Sequence, residues 1–321
     1  MKVFITGICG FLGRHIALNL AAKGFEVKGL YHKTKPPESF KKYKIGLVKG
    51  DIHNINEFKS EFYNFDFIIH TAASVSNSKK TSKINVHGTR LILKSAREMN
   101  VKNFIHTSSR VVFGVSKPPE ISNEQSTLSI ESKIKDIYLA SKINSEKEVL
   151  EARDHGDINC FIISPTAIIG PGDSKPTPIG QLINNFLLGK ISFFIEGKIN
   201  VIDVRDLAEL YYLCIKYGNK NENYGAGGFN INLSKLFKML QQQSNLEKFP
   251  RRIPNFLIKL LVVCLNLFPY ISKINPMYDS NRIKRLINGH SLFDSSKIKK
   301  EFKFTPTSIE KTVKDIVDER K

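Results

Sequence analysis

Over the first 165 positions the apolar residues alternate between two rhythms. Short apolar runs at 2–6 (KVFIT), 25–31 (FEVKGLY), 45–50 (IGLVKG), 65–73 (FDFIIHTAA), 103–109 (NFIHTSS) and 158–164 (INCFIIS) read as strands. Between them, 11–23, 84–99 and 136–152 carry helical spacing, with Ile16 and Leu20 turned inward in the first. Short apolar strands separated by helices predict an α/β fold with a doubly wound parallel sheet. Right-handed crossovers then place a ligand at the carboxyl ends of the strands.

Beyond residue 165 the rhythm changes. The stretch TAIIGPGDSKPTPIG (166–180) is dense in Gly and Pro and reads as a long loop, a length that in compact domains often serves function. Short helices follow at 181–188 and 207–217, and the tail from about 230 reads as helical and basic. The expected division is a sheet domain over 1–169, with 200–217 returning to it, and a smaller, mostly helical substrate lobe over 170–321. Within that lobe, NFLIKLLVVCLNLFPYI (255–271) holds one charge, Lys259, and is interrupted by Pro269. It falls short of the roughly 20 apolar residues that span a bilayer. Two readings stand: a buried or capping helix of the lobe, or a helix lying in a membrane interface beside Lys248, Arg251, Arg252 and Lys273.

The first predicted strand runs into Thr6-Gly7-Ile8-Cys9-Gly10-Phe11-Leu12-Gly13. Glycines at this spacing, between a strand and a helix, suit a phosphate-binding turn. Gly7 permits the sharp turn, Gly10 lets the backbone approach a pyrophosphate, and Gly13 lets helix and strand pack closely. The backbone N–H groups of Phe11, Leu12 and Gly13 open the helix, where its positive end favours an anion. An acid near the end of the second strand would accept a ribose 2′-hydroxyl. That region instead reads Tyr31, His32, Lys33, Thr34 and Lys35, with no acid before Glu38. The cations favour a 2′-phosphate, hence NADP as cofactor, with NAD kept open.

Tyr138-Leu-Ala-Ser-Lys142 lies on a predicted helix, so a spacing of four sets phenol and amine on one face. Free Tyr titrates near 10, and a nearby ammonium is expected to lower that value and suit the phenol to proton transfer. Ser108 and Ser109, at the end of the fifth strand, could hydrogen-bond a substrate oxygen.

With TGICGFLG (6–13), GDI (50–52), HTAA (70–73), NVHGT (85–89), HTSSRVVFG (106–114), YLASK (138–142), SPTAIIGPGD (164–173) and VIDVRDLAE (201–209) in this order, the sequence resembles an extended short-chain dehydrogenase/reductase of the NAD-dependent epimerase/dehydratase superfamily. Within it, IIGPGDSKPTP and SLFDSSKIKKEFKFTPTSIEK resemble the bacterial dihydroflavonol-reductase-like and hopanoid-associated sugar epimerase-like group, which neighbours the 3β-hydroxysteroid dehydrogenases. The resemblance implies a Rossmann-type sheet. It implies that Tyr138 is the catalytic acid/base, that Lys142 binds the nicotinamide ribose and tunes Tyr138, and that Ser109 polarises a carbonyl. It further implies that Asp51 and Ile52 meet the adenine, that Ala72 and Ala73 line the pyrophosphate and ribose path, that Asn85 braces that region, and that Pro165 lies near the nicotinamide. His32 stands where NADP-using relatives often have Arg, a weaker phosphate ligand when neutral.

The expected activity is an NAD(P)-dependent ketone/alcohol oxidoreductase, of the kind that dihydroflavonol reductases and 3β-hydroxysteroid dehydrogenases represent. The alternative is a nucleotide-sugar 4-epimerase or dehydratase using the same residues, with Arg205 on a nucleotide phosphate. A non-catalytic member holding NADP(H) as a structural ligand is a third reading. The expected partner is a small molecule, an apolar ketone or alcohol or a nucleotide sugar, and the resemblance suggests a homodimer through the Tyr138 helix.

Composition narrows the setting. The chain has 321 residues, 41% of them hydrophobic, too many for a disordered protein and enough for one large or two intimate domains. Its formal net charge is +19, concentrated in two blocks of +8 at 1–50 and 251–321. No helix-turn-helix, zinc or RNA-recognition pattern accompanies that charge, so no specific nucleic-acid partner is expected. The cysteines, Cys9, Cys160, Cys214 and Cys264, are far apart and form no metal or disulfide pattern. No metal is expected, and a reducing, cytoplasmic setting is expected, with no signal peptide in MKVFITG and membrane contact only through 255–271.

Overall fold

Strands covered by helices on both sides are apolar on both sides. Val3, Phe4 and Ile5 of β1 (Lys2–Thr6) are fully buried, as are Ile68 and Ile69 of β4 (Phe67–His70). A computed structural model of the chain describes residues 1–76, 78–114, 121–126, 136–156, 158–254, 256–258 and 291–320. Its main sheet adds β2 (Glu26–Tyr31), β3 (Gly46–Lys49), β5 (Asn103–Thr107), β6 (Asn159–Pro165) and β10 (Asn223–Ala226). The seven strands run in the order β10-β6-β5-β4-β1-β2-β3, all parallel. Apart from the added edge strand β10, this is the Rossmann order, with its switch point between β1 and β4.

The helices divide between the two faces. On one, α1 (Phe11–Ala22) shares a core with α7 (Val204–Tyr217), including Ile16, Leu20, Leu207 and Tyr211. On the other, α4 (Gly88–Glu98) and α5 (Ile137–Asp154) pack over Phe4, Ile68, Phe104 and Ile162. The short α2 (Ser39–Lys42) precedes β3, and α3 (Lys79–Ser82) leads through a π-helical turn at Lys83–His87 into α4. The helical run expected over 84–99 therefore starts earlier and contains a widened turn, a feature that often marks a functional site.

The residues after 165 are more ordered than the loop expected there. β7 (Ala167–Ile169) pairs with β9 (Lys198–Asp203), which pairs with β11 (Phe229–Asn232). Then α6 (Pro178–Leu187) begins earlier than 181, because Thr177 Oγ1 accepts from the Gly180 N–H at 3.1 Å and Pro178 opens the helix. A third core joins α6, α8 (Leu233–Ser244) and α10 (Ile309–Asp318), with Phe186 stacked on Phe237 at 4.6 Å. The remaining elements are β8 (Phe193–Phe194), which pairs with β12 (Arg251–Arg252), and α9 (Ser296–Glu301). The apolar stretch 255–271 lies outside the described residues except for 256–258, where Phe256 is exposed and Ile258 is buried. No helix among the described residues is long and apolar enough to cross a membrane.

Candidate active site at the carboxyl edge of the sheet

The glycine turn after β1 is cut to the backbone around it. Gly7 has φ +74°, and a Cβ there would meet Ala72 Cα and N at 2.9 Å. A Cβ on Gly13 would fall 2.3 Å from the Gly7 carbonyl oxygen. The turn closes through Gly7 N–H and Ile8 N–H to Leu30 O and Gly10 N–H to Gly7 O. Then α1 starts with Gly10 at its N-cap, no side-chain cap and no acid in its first turn. The first backbone N–H groups, at Phe11, Leu12 and Gly13, thus have no partner from the helix itself. A glycine cradle with an uncapped positive helix end fits a dinucleotide pyrophosphate.

The adenosine end is solvated. His32 and Lys33, just past β2, are exposed. Asp51 comes from the end of β3 to place Oδ2 3.8 Å from His32 Nε2, while its Oδ1 accepts from the His53 N–H at 3.0 Å. Ile52 is a core residue that packs against Gly88. Lys175, in the loop after β7, crosses to donate to Thr34 Oγ1 at 2.9 Å. That cation is 141 positions from Thr34, and no local pattern announces it.

Ala72 and Ala73 follow β4, with the Ala72 backbone against Gly7 of the glycine turn. Asn85, in the π-helical turn and 2% exposed, accepts from the Ser74 N–H at 2.8 Å and donates to Ser74 O and to Ser141 Oγ at 2.9 Å each. Ser141 in turn donates to the Tyr138 carbonyl at 2.7 Å. One buried amide thus ties the loop after β4 to the helix carrying Tyr138. Pro165 ends β6, paired with Ala226.

Asp136 caps α5, accepting from the Leu139 N–H at 3.1 Å. Ser109, buried just past the end of β5, lies with its hydroxyl toward the Tyr138 phenol. Burial pushes that phenol above its ordinary value, and the Ser109 hydroxyl opposes the rise. Lys142, only 3% exposed, donates its Nζ to Thr107 O at 2.9 Å. Burial brings its amine down to about 8, with Glu146 acting against the fall. The net direction at the phenol is up, against the expected lowering, because burial dominates at Tyr138 while Lys142 spends one N–H on the β5 backbone. Ser109, Tyr138 and Lys142 nevertheless share one rim of the sheet. The phenol is thereby held neutral, ready to give a proton, and the amine beside it carries charge at neutral pH.

Behind this trio the chain buries a second polar layer that sequence spacing did not flag. His70 is held between Thr6 Oγ1 (2.7 Å) and Thr89 Oγ1 (3.1 Å), and burial lowers it to about 3. His106 stacks on His70 at 5.8 Å, contacts Ser145 Oγ at 3.3 Å and is lowered well below its ordinary value, first by burial. Glu146, one turn beyond Lys142, is raised to about 6 by burial. Arg205, a candidate phosphate ligand by sequence, is committed elsewhere, with Nη2 2.6 Å from Asp203 Oδ2 and Nη1 2.6 Å from Asp315 Oδ2. Among the described residues no group of three metal-ligating side chains gathers.

The profile of the NAD dependent epimerase/dehydratase family matches residues 3–227. Sterol demethylase protein B of Methylococcus capsulatus is 25% identical, over 99% of this chain and 97% of the relative. A putative dihydroflavonol 4-reductase of Synechocystis is 29% identical, over 79% of this chain and 76% of the relative. The crystal structure of gox2253 superimposes with a TM-score of 0.86 at 26% identity, covering 99% of this chain and 97% of that one.

Proposed function

The chain belongs to the NAD dependent epimerase/dehydratase family, and from that premise we propose that it is an NAD(P)-dependent oxidoreductase interconverting a ketone and a secondary alcohol. The observation that carries this is the gathering of Ser109, Tyr138 and buried Lys142 at one carboxyl rim of the sheet, with Lys142 one turn along the helix from Tyr138. The glycine cradle of Gly7, Gly10 and Gly13 and the N–H groups of Phe11, Leu12 and Gly13 would hold the dinucleotide, with Asp51 and Ile52 at its adenine end. The cations Lys33, Lys35 and Lys175, with His32 beside them, support NADP over NAD.

The bound nicotinamide supplies or accepts the hydride. Tyr138 Oη gives its proton to the substrate oxygen as the carbonyl becomes an alkoxide, and takes it back in the other direction. Ser109 Oγ donates to the same oxygen and stabilises the charge that builds there. Lys142 stands behind as the cation that balances the phenolate left on Tyr138. Two of the relatives are named for sterol and dihydroflavonol chemistry, which supports a polycyclic, weakly polar substrate.

The test is to incubate the protein with NADPH or NADH and a panel of polycyclic ketones and nucleotide sugars, following nicotinamide absorbance. Net cofactor oxidation with a ketone, lost in Tyr138→Phe, supports the reading. Sugar isomerisation without net oxidation favours an epimerase, and turnover surviving in Tyr138→Phe removes the assignment.

A further inference from the structure

Three positions on one face of α5 lie at successive turns: Tyr138, Lys142 and Glu146. The first two belong to the chemistry above. The third is a carboxyl group facing into the protein, where burial raises it to about 6. Its Oε1 is buried with no hydrogen-bond partner among the described residues, and the same holds for Ser108 Oγ, whose hydroxyl lies toward this carboxyl together with that of Ser164. Lys142 directs Nζ at Thr107 O, which uses one of its three N–H groups. Carboxyl and amine stand one helical turn apart on the same face of α5, without a direct ion pair between them.

Among the described residues, four titratable groups lie near the amine. On its own helix are Tyr138, neutral, and Glu146. From β4 comes His70 and from β5 His106, both held neutral by burial. Among these groups Glu146 alone can carry negative charge at neutral pH. In a low-dielectric interior one such charge acts over several ångströms without direct contact.

We propose that Glu146 is a positioning residue that holds the Lys142 amine in its protonated form, acting through the amine on Tyr138 without touching substrate. The inference rests on the reading of Tyr138 and Lys142 given above, and it deepens that site. Without the carboxylate, burial would drive the amine further toward its neutral form, and the phenolate formed in each turnover would lose its balancing charge.

The experiment reads the amine directly. Protein labelled with 15N-lysine is titrated by NMR, with Lys142 assigned as the signal missing from Lys142→Arg. In Glu146→Gln the Lys142 titration should move down by about one unit, the size of a single buried-charge interaction, whereas Glu146→Asp should stay close to the parent. An unchanged titration in Glu146→Gln overturns the proposal. Should that variant fail to fold, Lys142→Met supplies the reciprocal reading. The Glu146 carboxyl, followed by 13C NMR, should then titrate higher, and an unmoved carboxyl overturns the proposal equally. Neither measurement needs a substrate, so failure here is distinct from failure of the redox reading, which Tyr138→Phe decides.

Discussion

The two ends of the proposed dinucleotide cleft are built on opposite electrostatic plans. At the nicotinamide end, Tyr138, Lys142, Glu146, His70 and His106 are gathered behind the rim of the sheet, and burial moves the titration of each. At the adenosine end, His32, Lys33, Lys35 and Asp51 stand in or near water, and only solvated pairs such as His32–Asp51 at 3.8 Å link them. Under the proposed function the dry end is where reactivity would be set, because desolvation there acts on every ionisable group. The wet end, under the same proposal, is where cofactor preference would be set, because screened charges give small, adjustable differences.

The sharpest way to test this contrast is at the dry end. Tyr138→Phe keeps the ring and removes the proton. Turnover should fall by about 10²–10⁴-fold, the usual contribution of a general acid, while NADPH affinity measured by fluorescence stays nearly unchanged. Comparable loss of cofactor affinity would show that the phenol organises the cleft and not the chemistry.

A second break in the contrast is acid stability. His70 titrates near 3 in the folded protein against an ordinary 6.5, so between those values the unfolded chain binds more protons than the native one. His106 shifts in the same direction. Stability should accordingly fall as pH drops below 6.5, continuing toward 3, and His70→Phe should flatten that slope in urea titrations across the same range. Glu146 has the opposite sign: its folded value near 6 lies above the ordinary 4.5, so the native form binds more protons and its contribution to stability declines as pH rises through that window.

The glycine turn joins the two ends and tolerates no side chain. Gly13→Ala would set a Cβ 2.3 Å from the Gly7 carbonyl oxygen, backbone that cannot rotate aside. We expect a loss of about 1–3 kcal/mol in chemical denaturation, the range for forced overpacking, together with weakened binding of both NADPH and NADH. Unequal loss between the two cofactors would contradict a role confined to the shared pyrophosphate.

How much of this was readable beforehand follows from the distances involved. The glycine turn and the Tyr138–Lys142 pair are spaced by local geometry, three residues in a turn and four in a helix, so a sequence carries them openly. Six of the seven strands of the main sheet were legible as apolar runs, whereas β10, with the sequence NYGA, has too little apolar character to announce an edge strand. Glu146 sits in the run SEKEVLE, which reads as a solvated helical face, and only the packing of α5 on β5 and β6 buries it. Asn85 is named by the resemblance, but its partner Ser141, 56 positions away, is not, and Lys175, 141 positions from Thr34, carries no local signal. The lowering of the Tyr138 phenol failed as an expectation for a related reason. Spacing placed the ammonium near the phenol, but the depth of burial and the pull of Thr107 O are tertiary facts.

The smallest expected effects lie at the wet end, and they test the contrast most finely. Lys33→Glu should reverse a local charge and shift the NADPH-to-NADH affinity ratio by about tenfold toward NADH, a difference of about 1.4 kcal/mol. Lys175→Ala removes one exposed cation and its bond to Thr34. An exposed charge contact contributes about 0.2–1 kcal/mol, so NADPH binding should weaken by about 1.4- to fivefold with NADH unmoved, and the effect should shrink as salt is added. If Lys175→Ala instead weakened both cofactors alike and kept its effect in high salt, the contact with Thr34 would be holding the loop after β7 in place, and the adenosine end would owe its order to the second lobe and not to its own surface charges.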